Sequence, residues 1–205
     1  MARRSLACLA TLVVFLVLAA SAAAARVTIR VEGKTQTIFG SKPVAIDATN
    51  ALQALDVAST LGEFYYGVTH ASFGDYVSQI GKYAAAGSAG WVFKVDGVSP
   101  PVGADQVQLK DGDTVLWYYA DFGPNGGPPT LQLSAVAVGG SKSCYKVEAF
   151  DDTGRLVQVA GVVLHVDGRR VKTQGATGGA VGCIGVHRGR VRAYAVGTVR
   201  SNSAP

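Results

Sequence analysis

Residues 90–119 read GWVFKVDGVSPPVGADQVQLKDGDTVLWYY. In WVFKV the side chains of Trp91, Phe93 and Val95 share one face, and in TVLWYY so do Val115, Trp117 and Tyr119, the period of two that marks half-buried strands. Asp96-Gly97 supplies a tight turn after the first strand and Asp111-Gly112-Asp113 another before the second. Glycine accepts positive φ there, and aspartate can accept from nearby backbone N–H groups. The spacing of Asp111 and Asp113 could also suit a calcium loop, but the further oxygen ligands and closing Glu of that pattern are missing. No metal ligand set is expected, and the segment reads as shape: two strands whose aromatic face needs a cover.

Outward from this segment, RVTIRVEG places Val27, Ile29 and Val31 on one face and Thr28 and Arg30 on the other, and KTQTIFG returns as the second arm of a hairpin. The period then changes in DATNALQALDVASTLG, where Leu52, Leu55, Ala58 and Leu61 recur three apart. This predicts an amphipathic helix of about three turns, capped by Asp47 or Thr49 and ended by Gly62, which can lie over the aromatic strands. The glycine- and aromatic-rich stretch FYYGVTHASFGDYVSQIGKY predicts one short strand, Tyr76 to Ile80.

In order, TNALQAL after a hairpin, FGDYVSQIGKY, GWVFKVDG and KDGDTVLWYY resemble the transcobalamin-like C-terminal domain family over residues 26–122. That β-rich lobe occurs in vitamin B12 carriers such as intrinsic factor and in many bacterial secreted proteins. The resemblance implies a β-grasp-like mixed sheet crossed by one helix. It also implies a small ligand: a corrinoid, a glycan or another planar or amphipathic molecule. Its motifs are strand and turn residues, so it assigns no ligand contact.

Residues 123–130 of FGPNGGPPT, rich in Pro and Gly, form a predicted linker. Charge divides at the same place. Residues 26–124 carry 7 Lys and Arg against 10 Asp and Glu, net −3, while residues 125–205 carry 10 against 4, net +6. From 131 to 205 short alternating runs are punctuated by DDTG, VDGR, GATGG and HRGR, which predicts a small antiparallel β-sandwich of six or seven strands, similar to bacterial immunoglobulin-like or carboxypeptidase-regulatory-like modules. The expected class is therefore α+β. At the N-terminus, Arg3 and Arg4 precede an apolar run too short to span a membrane, then an Ala-x-Ala site at Ala23 to Ala25, which predicts a signal peptide over residues 1–25 and no membrane span after its removal. Cys8 leaves with it. Cys144 and Cys183 remain, and an exported chain predicts a disulfide between them.

Catalysis finds little material: residues 26–205 hold three Glu and three His, with no nucleophile elbow, phosphate loop or zinc spacing. His165 and His187 lie in alternating runs, and His70 can pair with Asp75 across a loop. The expectation is a secreted or cell-surface protein that is not an enzyme and needs no cofactor. Most of the aromatic residues belong to the core, and Tyr65, Tyr66, Phe73 and Tyr118 are the candidates for a ligand-facing surface. Arg188, Arg190 and Arg192 alternate, with Arg169, Arg170 and Lys172 in the preceding hairpin. Side by side these six would form a basic face for an acidic cell-wall polymer or a phospholipid surface, the partner of an alternative structural or adhesive role. No aromatic is interleaved to stack a base, which argues against nucleic acid.

Overall fold

The computed structural model describes residues 23–71, 74–124, 126–136, 143–175 and 179–205. Residues 1–22 of the predicted signal peptide (1–25) and the candidate Phe73 lie outside them, whereas Ala25 is already buried in the first strand. The N-terminal half contains β1 (Ala25–Glu32), β2 (Thr37–Phe39), β3 (Ala45–Ala48), α1 (Ala51–Gly62), β4 (Tyr66–Ala71), β5 (Gly74–Ile80), β6 (Tyr83–Ala84), β7 (Ala89–Val95) and β8 (Thr114–Asp121). Strands β2, β1, β8 and β7 lie side by side, with β3 also on β1. The pairing of β1 with β8 is parallel, whereas β7 and β8 pair antiparallel. This mixed sheet with a single helix is the α+β arrangement expected. Strands β4, β5 and β6 form a small antiparallel sheet beside it, where only one strand was expected.

Register explains which face the helix covers. Trp117 stands between Val31 and Phe93, Val115 between Ile29 and Val95, and Tyr119 opposite Trp91. Trp91, Val115 and Trp117 are buried with Ala51, Ala54, Leu55 and Ala58 of the helix. Each indole also finds an acceptor: Trp117 Nε1 donates to the Ala51 carbonyl at 3.2 Å and Trp91 Nε1 to that of Tyr83 at 2.8 Å. The helix is capped by Asn50, not by Asp47 or Thr49: the Asn50 side chain accepts from the Gln53 N–H at 2.8 Å, and Gln53 Oε1 accepts from Thr49 N and Oγ1. It ends in a left-handed residue, Glu63, one past the predicted Gly62. Gly62 answers to packing instead, since a Cβ there would lie 2.6 Å from the Phe39 ring.

Asp96 and Gly97 both have positive φ, and Val95 and Val98 exchange hydrogen bonds across them, the two-residue hairpin turn that favours Asp-Gly. The loop carboxylates fasten backbone: Asp96 accepts from Thr114 N, Asp111 from Arg26 N and Asp113 from Lys110 N, at 2.7–2.8 Å.

The C-terminal half contains β9 (Thr130–Val136), β10 (Ser143–Phe150), β11 (Val163–Val166), β12 (Arg169–Lys172), β13 (Ala180–Ile184) and β14 (Arg192–Tyr194). They form two antiparallel sheets, β13-β10-β9 and β12-β11-β14. Tyr145, Val147 and Leu133 from one sheet and Leu164, Val166 and Ala193 from the other enclose a second core. Cys144 and Cys183 face each other across β10 and β13 and are joined by a disulfide closing 39 residues of chain, worth roughly 3–4 kcal/mol on the chain-entropy account. Among the described residues no helix is long and apolar enough to cross a membrane.

Each indole is both a large apolar body and a satisfied donor, so Trp91→Ala or Trp117→Ala is expected to cost about 3–5 kcal/mol in urea unfolding. Tryptophan emission in the parent should be blue-shifted and resist quenching. Near-parental stability in both variants would show that the rings are not core.

Candidate functional site

The face of the main sheet turned away from the helix carries Thr28, Arg30 and Glu32 of β1, Leu116 and Tyr118 of β8, and Val92 and Lys94 of β7. Cross-strand rows run Arg30–Leu116–Lys94 and Glu32–Tyr118–Val92. Alternation alone leaves this face to water, but the C-terminal half covers it. Leu116, Tyr118, Ala120 and Val199 form an apolar cluster of their own with Val92, and charge is buried on both sides of it.

On one side lies Lys94, fully buried. Its Nζ donates to the carbonyls of Asp151 at 2.7 Å and Phe150 at 3.3 Å and to Thr130 Oγ1 at 3.2 Å, with Asp152 Oδ1 at 3.5 Å. Burial lowers its pKa, and Asp152 works against that shift. Tyr118 donates to the same Asp152 oxygen at 2.8 Å, and loss of water pushes its phenol pKa well above the ordinary value, an effect Asp152 reinforces.

On the other side lies the Glu32 carboxylate. Oε1 accepts from Arg30 at 2.9 Å, Arg192 at 3.4 Å and Thr37, and Oε2 from Arg200 at 2.9 Å and Thr37. Arg192 and Arg200 come from the C-terminal half. The side chains are hardly exposed: 1% for Glu32 and 13%, 12% and 11% for Arg30, Arg192 and Arg200. Three guanidiniums around one carboxylate leave this group a net +2.

Two clefts open along the seam. The first, about 480 Å³, has Thr28, Arg30, Thr114 and Leu116 on one wall and Gln132, Phe150, Asn202 and Ser203 on the other. The second, about 470 Å³, lies between Lys34, Tyr119 and Asp121 and the segments 126–129 and 197–200.

The residues singled out from the sequence fare unevenly. Tyr65 is 66% exposed. Tyr66 is half-buried and donates to Asp56 Oδ1 at 2.9 Å, and burial with this bond pushes its pKa up to about 12. Tyr118 is corrected: it faces away from both, sealed under the C-terminal half, and offers no surface to a ligand. The six basic residues do not make one patch. Arg169 and Arg170 are successive on β12 and point to opposite faces. Arg188 and Arg190 lie outside any strand, Arg190 bonding Ser203, and Arg192 is drawn into the seam. Arg169 donates to the Val186 carbonyl, while Arg170 and Lys172 stay exposed. His70 Nδ1 does meet Asp75 Oδ1, at 2.6 Å, on an exposed hairpin. His187 lies between Tyr145 and the Gly189 carbonyl, and His165 stacks on Tyr194. Sequence reading missed Glu32, Lys94 and Arg200. Its only signals were Arg30-x-Glu32, opposite charges on one strand face, and a lysine set opposite Trp91 and Phe93.

Comparison with known proteins bears on the N-terminal half. Residues 47–121 match the family described as a domain of unknown function, DUF4430. That family is transcobalamin-like, in line with the resemblance carried by GWVFKVDG and KDGDTVLWYY. A crystal structure of a protein from Ruminococcus gnavus, described as a candidate metal binding protein, is similar at 16% identity with a TM-score of 0.37, covering 47% of this chain and 97% of its own. At that distance the likeness carries no argument. No curated protein matches.

The sign of the tyrosine effect gives a test. With its pKa raised in the folded protein, Tyr118 keeps a proton that the unfolded chain gives up above about pH 10, so its contribution to stability is constant below that pH and falls above it. Lys94, with its pKa lowered, acts oppositely and only below about pH 10.5, and it is common to parent and variant. Urea unfolding from pH 9 to 11.5 should show the parent losing about 1 kcal/mol per pH unit more than Tyr118→Phe above pH 10. Parallel pH profiles would contradict the burial of this phenol.

Proposed function

We propose that this chain is an exported, non-catalytic binding protein whose ligand occupies the first cleft of the seam. The observation that carries the reading is the cleft itself: a preformed cavity of about 480 Å³ in which the apolar Leu116 and Phe150 lie among convergent polar groups (Arg30, Asp96, Gln132, Asn202), a concave site of the kind that holds a small molecule. Its size suits a compact ligand rather than an entire corrinoid, which would have to lie across the mouth. Export is supported by the Arg3-Arg4 leader pattern and by a disulfide that an oxidising compartment would keep. The adhesive alternative keeps a smaller basic face: Arg170, Lys172 and Arg192 share one side of their sheet, with Arg192 drawn into the seam, while Arg169 points to the other side and Arg188 and Arg190 lie outside any strand.

The test uses protein recovered from the medium of expressing cells. A thermal-shift screen of small organic acids, sugars, nucleosides and corrinoids should return a ligand that raises Tm saturably. Gln132→Trp, which fills the cleft from an exposed position, should abolish that binding without lowering the basal Tm. Retention of the protein in the cell, or binding indifferent to Gln132→Trp, would contradict the reading.

A further inference from the structure

We infer that the free edge of Arg30 is an oxyanion site, and that the ligand of the first cleft presents a carboxylate or phosphate group to it. The inference rests on the cleft reading above and adds the chemical class of the ligand. Of the guanidinium's nitrogens only Nη1 is engaged, donating to Glu32 Oε1 at 2.9 Å and to the Arg200 carbonyl at 2.6 Å. Nε and Nη2 have no protein partner among the described residues, although the side chain is only 13% exposed. They are not sealed off from solvent either, since among the described residues Asp105 Oδ1 alone is a buried side-chain polar atom without a partner. Arg30 lines the cleft, so these donors open onto it. The Nε–Nη2 edge is the side of a guanidinium that grips two oxygens of a carboxylate or phosphate at once.

Charge points the same way. Glu32 cannot supply the missing anion: its two oxygens already accept from three guanidiniums and Thr37. Arg200 has each of its three nitrogens engaged, Nε on Glu32 and the Nη atoms on the Lys34 and Gly33 carbonyls. Arg192 spends both Nη atoms on Glu32, Thr37 and Ser41. Among these three guanidiniums Arg30 is the one whose Nε and Nη2 both lack a partner among the described residues; its pKa is lowered first by burial, with Arg192 and Arg200 adding to that against the pull of Glu32. The other charged group on the cleft wall is Asp96, whose Oδ1 is occupied by the Thr114 N–H at 2.8 Å. The Gln132 side chain, exposed on the facing wall with no hydrogen bond among the described residues, can donate to the same anion.

The experiment titrates the exported protein with inorganic phosphate and with acetate against chloride at constant ionic strength, following Tm and, for phosphate, the 31P linewidth. Either oxyanion should raise Tm saturably above the chloride reference, and the responding one identifies the source as phosphate or carboxylate. Arg30→Gln should weaken that binding at least about tenfold, the loss expected for a two-point charge-assisted contact. Exposed Arg188→Gln should leave it unchanged. Because Arg30→Gln removes one of three cations from a cationic cluster, Glu32 keeps Arg192 and Arg200, and the linewidth reads binding even if Tm falls. Absence of any gain over chloride, or equal binding by Arg30→Gln, would overturn the inference. A neutral ligand excluded by Gln132→Trp but indifferent to phosphate and to Arg30→Gln would overturn it too while leaving the cleft reading standing. Oxyanion binding lost in Arg30→Gln yet kept in Gln132→Trp would uphold the oxyanion site and remove the cleft reading.

Discussion

A single carboxylate, buried and shared by three arginines, ties the two halves of this protein together. Glu32 ends β1, the strand whose parallel pairing with β8 completes the main sheet, and two of its three cationic partners arrive from β14 and the segment after it. Taking a carboxylate out of water costs several kcal/mol, and attraction to well-placed, hydrogen-bonded partners must offset that cost. Here the offset requires the C-terminal half to be in place. Lys94 repeats the arrangement with the charges exchanged, a cation from the N-terminal half held by two carbonyls and Asp152 from the other.

The same constraint creates the clefts. Buried charges and the Leu116, Tyr118 and Val199 cluster hold the halves together at points, and flanking surfaces that do not mate leave cavities. A site built this way has walls from two separately enclosed cores, so its shape depends on the seam that bounds it. The oxyanion edge of Arg30 follows from the imbalance at that seam, where three cations meet one anion.

Much of the fold was legible because it rests on local rules. Trp91, Phe93, Val115 and Trp117 alternate, the helix keeps its three-residue recurrence, and Asp96-Gly97 makes the turn that its chemistry favours. The strand β4 escaped notice because YGVTHA mixes small, aromatic and polar residues without a clean period. The site was far less legible. Alternation assigns Arg30, Glu32 and Lys94 to the second face of a sheet, and nothing local says whether water or another chain segment covers it. Tyr118 was misread for the same reason: next to Trp117 in sequence, it lies on the opposite face. Arg192 read as one of a row of surface cations, and only the tertiary fold brings it to a carboxylate 160 residues away.

Glu32 and the arginines of the C-terminal half are coupled across a dry seam. A double-mutant cycle of Glu32→Gln and Arg200→Gln, read by urea unfolding at low salt and at 0.5 M salt, tests it most directly. A coupling of about 1–3 kcal/mol is expected, largely retained at high salt because buried pairs are weakly screened. A coupling below about 0.5 kcal/mol, or one that vanishes with salt as exposed pairs do, would contradict it.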